Sequence, residues 1–143
     1  ILGHSERRSN FNESNEQINN KLEIILNSDL DVIFCFDSYE QLPFDILRTN
    51  LKDNSKLKLT LAYEPTWAIG TGKTASIEHI EEIHTKVKET LQENMLQEIP
   101  ILYGGSVNSS NSKEILDTNN VDGVLVGGAS TKIDQLLGIV NSI

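Results

Sequence analysis

At 143 residues the chain has room for one domain with its own core, and its net charge of −9 leaves no electrostatic footprint for an extended phosphate backbone, which excludes nucleic acid as a partner. Cys35 is the single cysteine, so an intrachain disulfide and a cysteine-based metal site are excluded. No charged-then-apolar leader is visible and the longest apolar runs, such as 32–36, are far too short to span a bilayer, so a reducing, cytoplasmic setting is expected.

In chain order, Ile1-Leu2-Gly3 reads as the close of a strand whose beginning is missing; with Ile at position 1, an N-terminally truncated sequence is expected. Ser5-Glu6-Arg7-Arg8 can open a short helix directly after His4. Ser14 with Gln17 three residues on forms a capping box for a helix whose apolar stripe is Ile18, Leu22, Ile25 and Leu26. The continuous apolar run Val32-Ile33-Phe34-Cys35-Phe36 suits a strand covered on both faces, as parallel strands are. Leu42 to Leu51 follows as a short helix with Pro43 near its first turn, where a missing N–H costs little.

Leu57 to Ala62 alternates as a strand and runs into Tyr63-Glu64, where Pro65 stops it by removing a backbone donor. After a glycine-containing loop, Ser76 caps a long helix with Ile77, Ile80, Ile83, Val87 and Leu91 facing inward. His79 and His84 lie five apart on it, which is not the spacing of a shared face, and both are read as solvated. The strand Ile99 to Tyr103 ends at Gly104-Gly105-Ser106, and Asn111 with Glu114 predicts a second capping box for a helix through Leu116. Val124-Leu125-Val126 is the next strand, stopped by Gly127-Gly128, and Lys132 to Ile143 is a final helix carrying Ile133, Leu136, Leu137 and Val140. The alternation argues an α/β fold with parallel strands and a single domain over 1–143.

Chemistry gathers where these strands end. Glu64 stands at the carboxyl end of a strand, beneath a stretch in which Pro65-Thr66-Trp67 reads as a stiff hinge and Ala68 to Gly72 as a closing tip small enough for its amides to approach a ligand. The competing reading is a solvated strand-end carboxylate beside ordinary turn glycines. Gly72-Lys73-Thr74 imitates the end of a P-loop, but that motif requires glycine five positions before Gly72 and Trp67 stands there, so nucleotide binding through it is rejected. Gly3-His4-Ser5, Glu64-Pro65, Gly104-Gly105-Ser106 and Gly127-Gly128-Ala129 all fall at the carboxyl edge of the expected sheet, where ligands of parallel α/β folds bind.

These stretches, taken as Gly3-His4-Ser5-Glu6-Arg7-Arg8, Ala62-Tyr63-Glu64-Pro65 with Trp67 to Thr74, Tyr103-Gly104-Gly105-Ser106-Val107 and Leu125 to Ser130, resemble the triosephosphate isomerase family in order and spacing. The resemblance implies a (β/α)8 TIM barrel of about 250 residues, of which this chain is the part from the end of strand 4 to helix 8. It implies interconversion of dihydroxyacetone phosphate and D-glyceraldehyde 3-phosphate through an enediolate, in glycolysis and gluconeogenesis. Glu64 is then the base and His4 a neutral hydrogen-bond donor to the developing oxyanion, a division of roles taken over from the family with the resemblance. Amides of Gly70, Ser106, Gly127 and Gly128 hold the phosphate. Pro65, Thr66, Trp67, Ala68, Ile69, Thr71 and Gly72 form the lid, latched through Tyr103, Ser106 and Ala75. No cofactor and no metal are implied; the partners are a small phosphorylated triose and, for the full-length protein, a second copy in a homodimer.

The chain departs from the family in having no counterpart of its active-site Asn and Lys near the end of the first strand. Phe36-Asp37-Ser38 stands where the family has an apolar residue, Gly and Glu, which leaves the docking of Trp67 open, and the connection to the Leu57 strand is short. A half barrel exposes unpaired edges, so the 143-residue chain alone is expected to be inactive. Alternatives are a non-catalytic phosphate-binding relic of the same fold and another phosphate-binding barrel enzyme; the retained His4 and Glu64 argue against the first, and the Glu64 lid stretch against the second.

Overall fold

The computed structural model describes residues 1–51, 59–68 and 74–143. Four strands, β1 Val32–Phe36, β2 Leu59–Tyr63, β3 Ile101–Tyr103 and β4 Gly123–Val124, form one sheet in the order β1-β2-β3-β4, each pair parallel. Leu2 extends the sheet beyond β1, bonding Ile33 and Cys35 at 2.8 Å and bridging Phe34 in parallel. Strand order thus follows chain order without reversal, which is the topology of a β/α barrel and not of a doubly wound sheet, where the order turns back. The helices are α1 Ser5–Phe11, α2 Asn15–Leu26, α3 Phe44–Asn50, α4 Ile77–Glu93, α5 Ser112–Leu116 and α6 Ile133–Val140.

The strands are apolar because they are covered, and the core runs through Phe34, Leu61, Tyr103 and Ile101 on the sheet to Ile18 and Leu22 of α2 and Ile80, Val87 and Leu91 of α4. The Ser14 capping box forms with both of its hydrogen bonds, and Ser76 caps α4 by accepting the His79 amide. Pro43 stands at the N-cap of α3, preceded by a 3-10 turn, Tyr39–Gln41, that the sequence did not suggest.

Several expectations are corrected. Asn111 makes no capping bond to α5: its backbone is helical (φ −115°, ψ −12°) where a capping residue is extended, so its side chain points elsewhere. His84 is fully buried, not solvated, and His79 is half-buried. Position 84 lies four residues after Ile80 and three before Val87, within the apolar stripe of α4. The chain after Gly127 first makes a 3-10 turn, Gly128–Thr131; in α6 it is Ile139 that is buried, whereas Ile133, Leu137 and Val140 are exposed. The ladder of β4 is confined to Gly123–Val124, with Leu125 adding one bond to Tyr103. Leu57 lies outside the described residues.

Candidate active site

All the strand-end motifs emerge at the same edge of the sheet. His4 follows the Leu2 bridge and is the N-cap of α1, its Nδ1 accepting the Glu6 amide at 3.3 Å. A nitrogen that accepts carries no proton, so with Nδ1 as the acceptor the ring N–H is on Nε2. Nε2 faces Glu64 Oε1 at 3.2 Å. The other carboxylate oxygen, Oε2, accepts the Ser5 amide at 2.9 Å.

Glu64 is only 2% exposed, which sets aside the solvated strand-end reading. Burial pushes its carboxyl above the ordinary value; the Ser5 amide, His4, the Cys35 thiol and the Arg8 guanidinium pull the other way. Cys35 is buried beneath it, and burial with the nearby Glu64 charge pushes the thiol far up, so Cys35 packs as a neutral group. Arg8 is tied to the Gly3 carbonyl at 2.7 Å and the Cys35 carbonyl at 3.3 Å, joining α1 to the strand ends. Gly3 itself takes φ +73°, and a Cβ there would stand 3.0 Å from the Cys35 carbonyl.

Beside His4 opens a cavity of about 510 Å³ whose walls include Glu6, Ser106, Gly127, Gly128 and Lys132. Glu64 lies behind His4 and is not on its wall. At the far wall the Gly127 carbonyl accepts from Ser130 N–H and Oγ at 2.9 and 2.7 Å, and the Gly128 carbonyl accepts from Thr131 Oγ1 at 2.8 Å. Those carbonyls are turned into the 3-10 turn, and the cavity meets the turn at its amino end, the favourable end for an anion. A Cβ at Gly127 or Gly128 would meet nothing within 4 Å. The space beside both is open to a ligand.

The segment after Glu64 is fastened on both flanks. Ser106 Oγ donates to the Ala68 carbonyl at 2.7 Å, and the Ala75 amide donates to Tyr103 Oη at 3.2 Å. Gly105 permits this, since a Cβ there would fall 2.2 Å from Tyr103 Oη. Pro65 and Ala68 are buried, Thr66 is exposed and Trp67 is 52% exposed, its ring 6.2 Å from that of His79. Ile69, Gly70, Thr71 and Gly72 lie outside the described residues.

Groups beyond the expected set also take part. Asn111 Nδ2 donates to Thr74 Oγ1 at 2.9 Å and to the Ser106 carbonyl at 3.1 Å, while its Oδ1 accepts the Asn108 amide at 2.8 Å. Asp37 accepts two hydrogen bonds from Thr66. Gly104 lies so close to Glu64 that a Cβ would stand 2.9 Å from Glu64 Cγ. Gly104 had a signal in the sequence, as part of the glycine run after β3, and Asp37 stands in the departing stretch that left the docking of Trp67 open; the links made by Asn111 depend on contacts between distant segments. Among the described residues no cluster of His, Cys, Asp and Glu could hold a metal ion, and no helix is long and apolar enough to cross a membrane.

The sequence pattern of the triosephosphate isomerase family matches residues 1–143. The triosephosphate isomerase of Flavobacterium johnsoniae is 45% identical over 159 aligned residues, covering 100% of this chain and 64% of that protein. Those of Alkaliphilus oremlandii and Entamoeba histolytica are each 40% identical, covering 99% and 100% of this chain and 63% and 61% of their own lengths. The chain therefore spans less than two thirds of the length of these relatives. With the match running from the first residue to the last, and with His4, Glu64 and the glycine loops meeting at one sheet edge, the chain belongs to the triosephosphate isomerase family.

Proposed function

We propose that the polypeptide containing this chain interconverts dihydroxyacetone phosphate and D-glyceraldehyde 3-phosphate, with Glu64 as the base and His4 as the electrophile. The observation that supports this reading best is the 3.2 Å approach of His4 Nε2 to Glu64 Oε1 beside a cavity ending at Gly127 and Gly128. A proton donor and a buried carboxylate within one hydrogen bond of each other are what an enolisation needs on either side of a carbonyl.

Substrate takes over the Nε2–H of His4 with its carbonyl oxygen, which releases Glu64 Oε1. The carboxylate then leaves the Ser5 amide, turns past His4 toward the cavity and removes a proton from the adjacent carbon, and the negative charge that develops on oxygen is met by His4. The hydroxyl proton of the first carbon passes to that oxygen, and Glu64 returns the carbon-bound proton to the neighbouring carbon as the first carbon becomes the carbonyl. One base serves both steps because the two carbons share the enediolate. Amides of Gly70, Ser106, Gly127 and Gly128 grip the phosphate, and the lid residues Pro65 to Gly72, latched through Tyr103, Ser106 and Ala75, keep water from the intermediate. The remaining groups of the site, a barrel completed around all 143 residues, a homodimer and a reducing cytoplasmic setting belong to the same reading.

The test is a turnover assay of the gene product that contains these residues, beside a titration with a phosphorylated enediolate analogue. Glu64→Asp should bind the analogue as wild type does and lose about 10²–10⁴ in turnover. Analogue binding without turnover in the wild type would instead identify a phosphate-binding relic.

A further inference from the structure

The pairing of β1 with β2 ends in a way that leaves a donor to be accounted for. Its last rung is the Glu64 amide on the Phe36 carbonyl at 2.8 Å. Pro65 has no N–H, so the ladder cannot continue through the backbone, and the next available donor is the Thr66 amide. Asp37, the residue after β1, takes it: Oδ1 accepts the Thr66 amide at 2.9 Å and Oδ2 accepts Thr66 Oγ1–H at 2.9 Å. Both oxygens of the Asp37 side chain thus close on both donors of Thr66, its backbone amide and its hydroxyl. Asp37 is itself held, since its amide donates to Gln41 Oε1 at 2.9 Å. The turn that begins at Pro65 closes with Ala68 N–H on the Pro65 carbonyl at 2.8 Å, and Ser106 secures its far end.

We propose that Asp37 is a positioning residue for Glu64, fixing the 65–68 turn so that the base leaves β2 in one direction. The catalytic half of this statement rests on the isomerase reading; the clamp itself does not. A charged acceptor on two donors is the stronger kind of hydrogen bond, and its short side chain has few rotamers to lose. Through Thr66 it bears on both neighbours in the turn. Pro65 carries the restraint back to Glu64, and Trp67 is oriented against His79. Asp37 therefore gives Trp67 a seat in the stretch where the sequence departs from its family.

Trp67 is the chain's only tryptophan and directly follows Thr66, so it reports on the clamp. In the gene product, with any tryptophan outside these residues replaced by phenylalanine, acrylamide quenching, kcat and KM are measured for wild type, Asp37→Ala, Thr66→Val and the double variant. Asp37→Ala should raise the quenching constant roughly twofold, as a 52% exposed indole becomes free, with an unchanged far-UV spectrum. It should lower kcat about tenfold, the worth of one net hydrogen bond, with little change in KM. Thr66→Val, which keeps only the amide contact, should show a smaller effect of the same kind, and the double variant should be no worse than Asp37→Ala. Wild-type quenching in a folded Asp37→Ala overturns the clamp, and altered quenching with wild-type kcat overturns the positioning role. If Asp37→Ala does not fold, Thr66→Val decides by the same criteria. Should wild type itself show no turnover while quenching responds as stated, the isomerase reading fails and the clamp stands.

Discussion

Gly104 sets how closely β3 can pass Glu64. Its amide donates to the Tyr63 carbonyl at 2.7 Å, and a methyl on its Cα would stand 2.9 Å from Glu64 Cγ and 3.2 Å from that carbonyl. Gly104→Ala must therefore push Glu64 off the His4 and Ser5 contacts or part the strands. We expect at least a 10²-fold fall in kcat/KM, since misplacing a reacting group by about 1 Å costs that much, with the far-UV spectrum retained. The protonation of Glu64 sets a second expectation at this scale. Because burial holds its pKa above the ordinary carboxyl value, activity should rise with pH along an acid limb lying above about 4.3. The sign for stability is opposite: the folded state keeps the proton longer, so this residue's contribution is full below the ordinary value and is lost as pH rises through the raised one. A kcat/KM profile and a pH series of denaturant midpoints, each compared with Glu64→Gln, measure the two limbs.

At the scale of elements, what could be read in advance was whatever depends on near neighbours in the chain. The boxes and caps of α2 and α4, the stop at Pro65 and the helix directly after His4 are all local chemistry. Asn111 does not cap α5, because a capping box also requires an extended backbone at its first residue; here the side chain joins Thr74 to Ser106 across 37 and 5 residues of sequence. The burial of His84 has a different origin: its five-residue offset from His79 says nothing of its face, whereas its spacing from Ile80, Val87 and Leu91 makes it part of their stripe. Its Nδ1–H donates to the Asn120 carbonyl at 3.0 Å, tying α4 to the loop before β4, and its Nε2 is buried with no hydrogen-bond partner among the described residues. Burial lowers its pKa, opposed by the Asn120 contact. The unfolded chain then binds a proton that the folded chain refuses, so stability should be full above about pH 6.5 and fall as pH drops from there toward the depressed value. That slope, read from urea midpoints, should be absent in His84→Gln.

For the molecule as a whole, the sequential strand order and the gathering of motifs at one edge were legible, because parallel strands joined by helices leave all their carboxyl ends on one side. The exposed face of α6 was not, because an apolar stripe says that a surface seeks cover and not what covers it. Ile133, Leu137 and Val140 are 66%, 50% and 52% exposed in this chain. We expect the 143-residue polypeptide, expressed alone, to self-associate in analytical ultracentrifugation and to show no isomerase turnover. A monodisperse, active monomer would refute both.

The pairing of His4 with Glu64 is tested most directly by proton exchange. Dihydroxyacetone phosphate is incubated in deuterium oxide with the gene product that contains these residues, and deuterium in the recovered triose phosphates is followed by NMR. Wild type should place solvent deuterium on the carbon beside the carbonyl, Glu64→Gln should exchange at the uncatalysed rate, and His4→Gln should exchange far more slowly than wild type. Exchange at the wild-type rate in Glu64→Gln would contradict the account, whatever the other variants do.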